Sequence, residues 1–216
     1  MTSDADFCAT DVYKFKQPTE RLLGTAYSLP ALSQDSLREM STEELVVLVD
    51  EKGTPTGTAP KATVHTTDTP LHFAFSCHVT NDRGEILVTR RALSKATWPG
   101  VWTNSFCGHP GPDENLEDAI RRRARQELGM EIDGIHSVLP DFRYRAVDAS
   151  GIVENEICPV YIASSDAQPS PSPDEVAEFV WADPVALLTA IEATPWAFSP
   201  WLTLQLPALS RAGLLG

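Results

Sequence analysis

Residues 71–80 alternate without a fault: Leu71, Phe73, Phe75, Cys77 and Val79 fall on one side, and His72, Ala74, Ser76, His78 and Thr80 on the other. A period of two residues is the signature of a β-strand. Asn81-Asp82-Arg83-Gly84 is a turn sequence, and a second apolar run, Glu85–Arg91, follows it, so a hairpin is expected. A sheet with an apolar face has to bury it against other elements. Those are legible nearby: a strand at Glu44–Asp50 closed by a turn ending at Gly53, and a strand at Val101–Phe106 entering the Gly/Pro loop Cys107–Asp113. Glu114–Leu128 predicts a helix, with Asp113 as cap, Leu116, Ala119, Ile120, Ala124 and Leu128 as apolar stripe, and Gly129 as stop. Further strands are expected at Phe142–Val147, Ile152–Ile162 and Val176–Trp181, with a Ser/Pro-rich loop at Ser164–Pro173. Asp183-Pro184 and Ser199-Pro200 each place a capping side chain before a first-turn proline, predicting two more helices. Hairpin-linked strands with helices between them predict an α+β fold, an α/β/α sandwich around a mixed β-sheet.

This pattern begins near Glu44. Met1–Ser41 mixes Asp, Ser, Thr, Pro and scattered hydrophobes without a period, which predicts a poorly ordered extension with a short helix at Ser36–Met40, ahead of one domain over 42–216. With 17 Lys+Arg against 30 Asp+Glu, the net charge of −13 repels phosphate backbones and anionic headgroups, excluding general nucleic-acid and membrane-surface binding. No apolar run approaches the ~18 residues of a membrane helix. Asp4 and Asp6 precede any basic residue, unlike a secretory or transit leader, so a cytoplasmic protein is expected. The four cysteines, Cys8, Cys77, Cys107 and Cys158, form no CxxC pair and are read as free thiols.

Glu154 and Glu156 lie two apart on a predicted strand, on one side, with apolar neighbours on both faces. Two half-buried carboxylates repel and need a proton, a base or a cation between them, and a divalent cation meets that need most simply. Five histidines (His65, His72, His78, His109 and His136) are available, and three of them with both glutamates would make a full coordination shell. Spacing permits that convergence without selecting the three. Arg90, Arg91 and Lys95 form a local basic cluster in an acidic chain, suited to a diphosphate. Arg121, Arg122, Arg123 and Arg125 read instead as the exposed face of the helix, balancing nearby acids.

The loop Asn104-Ser-Phe-Cys107-Gly-His109-Pro and the helix after it resemble the Nudix box, with Gly108, Glu114, Arg122, Glu127 and Gly129 matching its pattern. Arg123 and Gln126 stand where a Nudix hydrolase has glutamates that hold its catalytic magnesium, and each lost carboxylate removes a hard oxygen ligand. Three longer motifs in order, Thr103-Asn-Ser-Phe-Cys-Gly-His-Pro, Tyr144-Arg-Ala…Ser-Gly-Ile-Val-Glu-Asn-Glu-Ile-Cys-Pro and Ala193-Thr-Pro-Trp-Ala-Phe-Ser-Pro-Trp201, resemble type I isopentenyl-diphosphate Δ-isomerases over roughly Glu44 to Trp201.

That resemblance implies a Nudix-like fold and a divalent ion (Mn²⁺, Mg²⁺ or Zn²⁺) at His65, His72, His109, Glu154 and Glu156. It implies a Mg²⁺ at Glu127 that arrives with the substrate diphosphate. Lys61, Arg91 and Lys95 are similar to the family's diphosphate-binding residues, Cys107, Tyr144 and Glu156 to its proton-transfer residues, and Trp201 to its cavity aromatic. A hydrogen bond from Glu156 toward Tyr144 and a Cys107 thiolate favoured by nearby cations and amide donors are further expectations. The implied protein is a monomer acting on a small diphosphate. Its rivals are a Nudix pyrophosphohydrolase, disfavoured by Arg123 and Gln126, and an inactive Nudix-fold binding module, disfavoured by Cys107, Glu156 and Trp201.

Overall fold

The computed structural model describes residues 44–214. The expected extension over 1–41, its helix at Ser36–Met40, and Cys8 lie outside the described residues. In chain order the elements are β1 (Leu45–Val49), β2 (Pro55–Pro60), the one-turn helix α1 (Lys61–Val64), β3 (His72–Phe73), β4 (Phe75–Thr80), β5 (Ile86–Arg91), β6 (Trp102–Thr103) and β7 (Phe106–Gly108). Then come α2 (Leu116–Arg123), β8 (Asp133–Leu139), β9 (Arg143–Val147), β10 (Val153–Ile157), β11 (Val160–Ser164), β12 (Val176–Ala182), α3 (Pro184–Ala193) and α4 (Pro200–Arg211).

The strands form two mixed sheets, ordered β2-β1-β3-β10-β9 and β12-β5-β4-β11-β8, with β6 on β5 and β7 on β4. The alternating run is therefore two strands, divided at Ala74, and Ile152–Ile162 divides likewise at Cys158-Pro159. These two runs lie parallel and pass together from one sheet to the other. Pro159 has no amide hydrogen to continue a ladder. The crossing is bridged by the Ala74 amide donating to the Ile157 carbonyl at 2.9 Å and the Ser76 amide to the Pro159 carbonyl at 3.1 Å.

The β4–β5 hairpin pairs only at Thr80 and Ile86 and then opens as a fork. The segment expected as one strand, Val101–Phe106, fills the fork as β6 and β7, so Cys107 sits on a strand rather than in a loop. Between them, side chains replace the missing ladder. Ser105 Oγ accepts the Val79 amide at 2.7 Å and donates to the Leu87 carbonyl at 2.6 Å. Asn104 Nδ2 donates to the carbonyls of Cys77 and Phe106 at 3.1 and 2.7 Å. Side chains thus satisfy the Val79 amide and the carbonyls of Cys77, Leu87 and Phe106 where the ladder is interrupted.

Helix α2 is capped by Asn115, whose side chain accepts the amides of Glu117 and Asp118. Asp113, the expected cap, has φ +60° and lies before it. After Arg123 the helix widens into a π-turn over Ala124–Leu128 and stops at Gly129, φ +62°, where a Cβ would meet the Ser170 carbonyl oxygen at 2.6 Å. Its apolar stripe packs with Phe75, Cys77, Val79 and Leu87 on one face of the second sheet. On the other face Ile86 and Val88 meet Leu187 and Ile191 of α3 and Leu202 and Leu206 of α4. The N-caps of α3 and α4 are Asp183 and Ser199, as expected. Among the described residues no helix is long and apolar enough to cross a membrane.

Candidate active site

Strand register carries polar groups inward along one row. His72 pairs with Glu156, and Glu156 pairs on its other side with Tyr144. His65 follows α1 and His109 follows β7, and both reach this row, giving imidazole centroid separations of 5.1, 5.8 and 5.1 Å. His65, His72, His109 and Glu156 each bring a ligand atom within 4.8 Å of the others. Glu154, expected as the fifth member, lies beside this group, its Oε2 3.1 Å from His65 Nε2. Gly108 permits the approach, since a Cβ there would meet Phe75 and Arg123 side-chain carbons at 2.7 Å.

These residues fit a cation by a specific test. His72 Nδ1 donates to the Pro70 carbonyl at 2.9 Å, which fixes the tautomer and leaves Nε2 as a lone pair. That Nε2 is 3.4 Å from Glu156 Oε1, yet without hydrogen-bonding geometry, and His65 Nε2 stands in the same relation to Glu154. Both nitrogens are buried and orphaned beside carboxylate oxygens, an arrangement a divalent ion satisfies. His109 Nε2 is 3.1 Å from Glu156 Oε1. Burial would raise the Glu156 carboxyl, but His109 and His72 hold it well below the usual carboxylate range. For His72, burial pulls the imidazole down and Glu156 more than offsets it, so its pKa is raised; for His109 burial prevails and the pKa is lowered.

Cys107 lies on β7 opposite Ser76. Its thiol donates to Asn104 Oδ1 at 3.4 Å and is 3.3 Å from Ser76 Oγ. Asn104 Oδ1 also accepts Trp201 Nε1 at 2.9 Å and Thr103 Oγ1 at 2.9 Å, so one buried amide ties thiol to indole. Burial pushes the thiol up to about 12, against the lowering effect of its hydrogen bonds with Ser76 and Asn104 and so against the expected thiolate. Tyr144 packs on Trp201 with centroids 5.6 Å apart, and its phenol is pushed well up by burial and by the Glu156 carboxylate. Tyr144 and Glu156 are cross-strand partners, but no hydrogen bond joins their side chains, contrary to expectation. Trp201 is buried, with Trp98 edge-on to it at 5.5 Å and the Arg91 guanidinium over its ring at 5.3 Å. Among the described residues, Cys77, Cys107 and Cys158 are free thiols.

Of the expected diphosphate residues, Lys61 pairs with Glu44 at 2.6 Å and Lys95 with Glu175, while Arg91 donates to the Thr97 and Trp98 carbonyls. Arg123 is not on an exposed helix face. It is buried, donates from Nε to Glu127 Oε1 at 3.0 Å, and reaches Glu175 at 3.3 Å. Glu127 is buried as well, and desolvation raises its pKa against the pull of Arg123. Sequence reasoning missed Asn104, Thr97 and the inward turn of Arg123. The first two carry no charge pattern, but Arg123 and Glu127 fall at helical spacing from Ala119 and Ile120, a signal that the arginine run obscures.

The family model for the NUDIX domain matches residues 70–202. An isopentenyl-diphosphate Delta-isomerase of Clavibacter michiganensis subsp. michiganensis is 65% identical over 166 residues, covering 77% of this chain and 86% of that protein. One of Kocuria rhizophila is 62% identical over 178 residues, covering 82% of this chain and 99% of that protein. Among solved structures, one from Deinococcus radiodurans aligns with TM-score 0.60 at 24% identity, covering 76% of this chain and 98% of that one. A MutT protein from Methanosarcina mazei Go1 aligns with TM-score 0.54 at 19% identity, covering 67% of this chain and 96% of that one. At those identities the solved structures speak to the fold. The fold, its Nudix-box helix and the sequence relatives agree: this chain belongs to the NUDIX superfamily and, within it, to the isopentenyl-diphosphate Delta-isomerases.

Proposed function

We propose that this chain converts isopentenyl diphosphate to dimethylallyl diphosphate by adding a proton at one end of an allylic system and removing one from the other, supplying isoprenoid synthesis. The observation that carries the reading is Trp201 held between two proton-handling groups of unlike chemistry. It stacks with Tyr144, the neighbour of Glu156, and shares Asn104 Oδ1 with Cys107.

An alkene is a very weak base, so its protonation needs a strong, well-placed acid and exclusion of water. In this reading Glu156 and Tyr144 hold or pass the proton at carboxylate and phenol oxygen, and Cys107 Sγ, with its own proton first released to solvent, takes the second proton as the thiolate. The tertiary cation between the steps has no counter-charge of its own, and a desolvated indole face stabilises a cation by about 2 kcal/mol. Lys61, Arg91 and Lys95 hold the diphosphate, and Glu127 accompanies it with Mg²⁺. His65, His72, His109, Glu154 and Glu156 would hold a second divalent ion, Mn²⁺, Mg²⁺ or Zn²⁺, which when bound supplies positive charge beside Glu156. Residues 1–41 are taken as an extension, since no assigned residue precedes Lys61. The proposal includes a cytoplasmic monomer with neither nucleic acid nor membrane as partner, in keeping with the net charge of −13.

Incubation with isopentenyl diphosphate and Mg²⁺, followed by separation of products, tests the reading. The allylic isomer should accumulate without phosphate release. Released phosphate without isomer would instead favour a pyrophosphohydrolase, and no turnover a binding module.

A further inference from the structure

We infer that Thr97 is a positioning residue that ties the diphosphate-binding arginine to a carboxylate of the metal centre, an assignment that rests on the roles proposed above for Arg91 and Glu154. Thr97 lies in the connection between β5 and β6, is 5% exposed, and carries no charge. Its hydroxyl donates to Glu154 Oε1 at 2.8 Å. Among the described residues no other hydrogen bond reaches that carboxylate. The opposite oxygen, Oε2, is the one 3.1 Å from the orphaned His65 Nε2.

The same residue is gripped from the other side. Arg91 Nη2 donates to the Thr97 carbonyl at 2.9 Å and to Thr97 Oγ1 at 3.3 Å, and Arg91 Nε donates to the same carbonyl at 3.1 Å. A guanidinium hydrogen bond into a hydroxyl polarises that hydroxyl as a donor, so the chain Arg91 to Thr97 to Glu154 strengthens its second bond. A carboxylate turns easily about its last torsion, because sp³–sp² rotors have broad wells. A donor fixed on one oxygen therefore decides which oxygen faces the histidines.

The connection is itself held in place. Trp98, next along, has φ +43°, a conformation costly for a bulky side chain, and its amide donates to Asp148 Oδ2 at 3.0 Å. Asp148 belongs to the turn between β9 and β10, the strands that bear Tyr144, Glu154 and Glu156. Thr97 is thus anchored to the hairpin whose carboxylate it orients, and a hydroxyl there acts on the centre through Glu154 rather than by touching substrate.

Thr97→Val keeps the shape and the carbonyl that Arg91 grips and removes only the hydroxyl. The test is calorimetric titration of the full chain, stripped by chelator, with Mn²⁺ alone, alongside titration of the metal-free protein with inorganic pyrophosphate. Loss of a group that orients a ligand weakens metal binding by about 10- to 100-fold, and that drop is expected for Thr97→Val. Thr97→Ser should recover wild-type Mn²⁺ affinity within about threefold, while pyrophosphate affinity stays within about twofold in both variants. Wild type and Thr97→Val binding Mn²⁺ equally would overturn the assignment and leave the metal centre standing. Wild type binding none of Mn²⁺, Mg²⁺ and Zn²⁺, each titrated in turn, would overturn the proposed centre and this inference with it. A general loosening of the fold would weaken pyrophosphate binding too and would not be rescued by serine, which also counts against it. Should Thr97→Val not fold, Thr97→Ala against Thr97→Ser makes the same comparison.

Discussion

The Arg91 guanidinium lies over the indole of Trp201, its Cζ 5.3 Å from the ring centroid. A cation–π contact of this kind is worth about 0.5–2 kcal/mol, more when desolvated, and Trp201 is nearly inaccessible to solvent. The ring that is proposed to face a carbocation is therefore already matched to positive charge in the resting protein. One residue joins the anionic end of the proposed substrate to the aromatic at its carbon end.

Arg91→Ala should separate those two duties. If the main role is diphosphate binding, KM should rise by about 10- to 100-fold with kcat within about threefold, equivalent to about 1.4–2.7 kcal/mol of binding. Steady-state kinetics on isopentenyl diphosphate read this directly. A collapse of kcat at unchanged KM would move Arg91 from binding to the chemical step. Arg91→Lys should recover only part of the loss, because an ammonium cannot reproduce the guanidinium fork.

Metal binding should depend on pH through the imidazoles. Each must be unprotonated to ligate, so affinity should fall as pH drops through their ordinary value of about 6.5. His72 carries a raised pKa, because the Glu156 carboxylate outweighs burial, and His109 a lowered one, because burial prevails. Protons therefore compete at His72 before His109 as the solution is acidified. Titration with Mn²⁺ between pH 5 and 8 checks the slope. Affinity independent of pH across that range would argue that the histidines are not ligands, and full activity in metal-stripped protein would remove the centre from the mechanism.

How much of this was legible beforehand depended on whether a feature is local. Caps at Asp183 and Ser199, the stop at Gly129 and the β4–β5 turn are set by neighbours in sequence, and all stand as read. The divided strands were not legible, because Ala74 and Pro159 interrupt pairing only where two sheets meet. Strand β8 went unread since its side chains are mostly exposed or half-buried, and pairing with β11 rather than alternation holds it. β2 has proline at both ends and glycine within, poor strand material, and survives as an edge. In the site, the pairing of Glu154 with Glu156 is visible from spacing two apart. The choice among the histidines is not, since His65, His72 and His109 come from separate elements, and only the longer motif likeness singled them out. Arg123 was misread because four arginines in five positions look like a solvated face.

The Arg123–Glu127 pair makes a prediction about stability. Both are buried, and removing one partner of a buried pair costs about 3–5 kcal/mol. In Arg123→Met the Glu127 carboxyl, already raised by desolvation, loses its opposing cation and rises further. A carboxyl with a raised folded-state pKa binds more protons folded than unfolded, so stability is lost as pH rises above the unfolded value of about 4.3. The deficit of Arg123→Met relative to wild type should therefore be larger at pH 7.5 than at pH 4.5, measured as the difference in Tm at each pH. An equal deficit at both would mean that the lost packing of the guanidinium stem, and not the stranded carboxylate, is responsible.

The proton-transfer residues and the binding residues should fail differently. Cys107 bonds to Asn104 and Ser76, and burial pushes its thiol up to about 12. Metal-free protein should accordingly react slowly with iodoacetamide at pH 7.5 and faster as the pH climbs, because the thiolate is the nucleophile. Cys107→Ala removes a group that acts only during proton transfer, so kcat should fall by at least about 10²-fold with KM little changed. Glu156→Gln should lose kcat similarly but also weaken Mn²⁺ binding, since Glu156 stands within the His65, His72 and His109 cluster and gives up its charge. Solvent deuterium distinguishes the two steps. If Glu156 and Tyr144 serve protonation and Cys107 the removal that follows, Glu156→Gln should incorporate no deuterium. Cys107→Ala, by contrast, should still protonate the alkene and return label to recovered isopentenyl diphosphate wherever the intermediate reverts. Label in the glutamate variant and none in the cysteine variant would exchange the two roles while keeping the site. Wild-type turnover in Cys107→Ala would remove the thiol from the mechanism altogether.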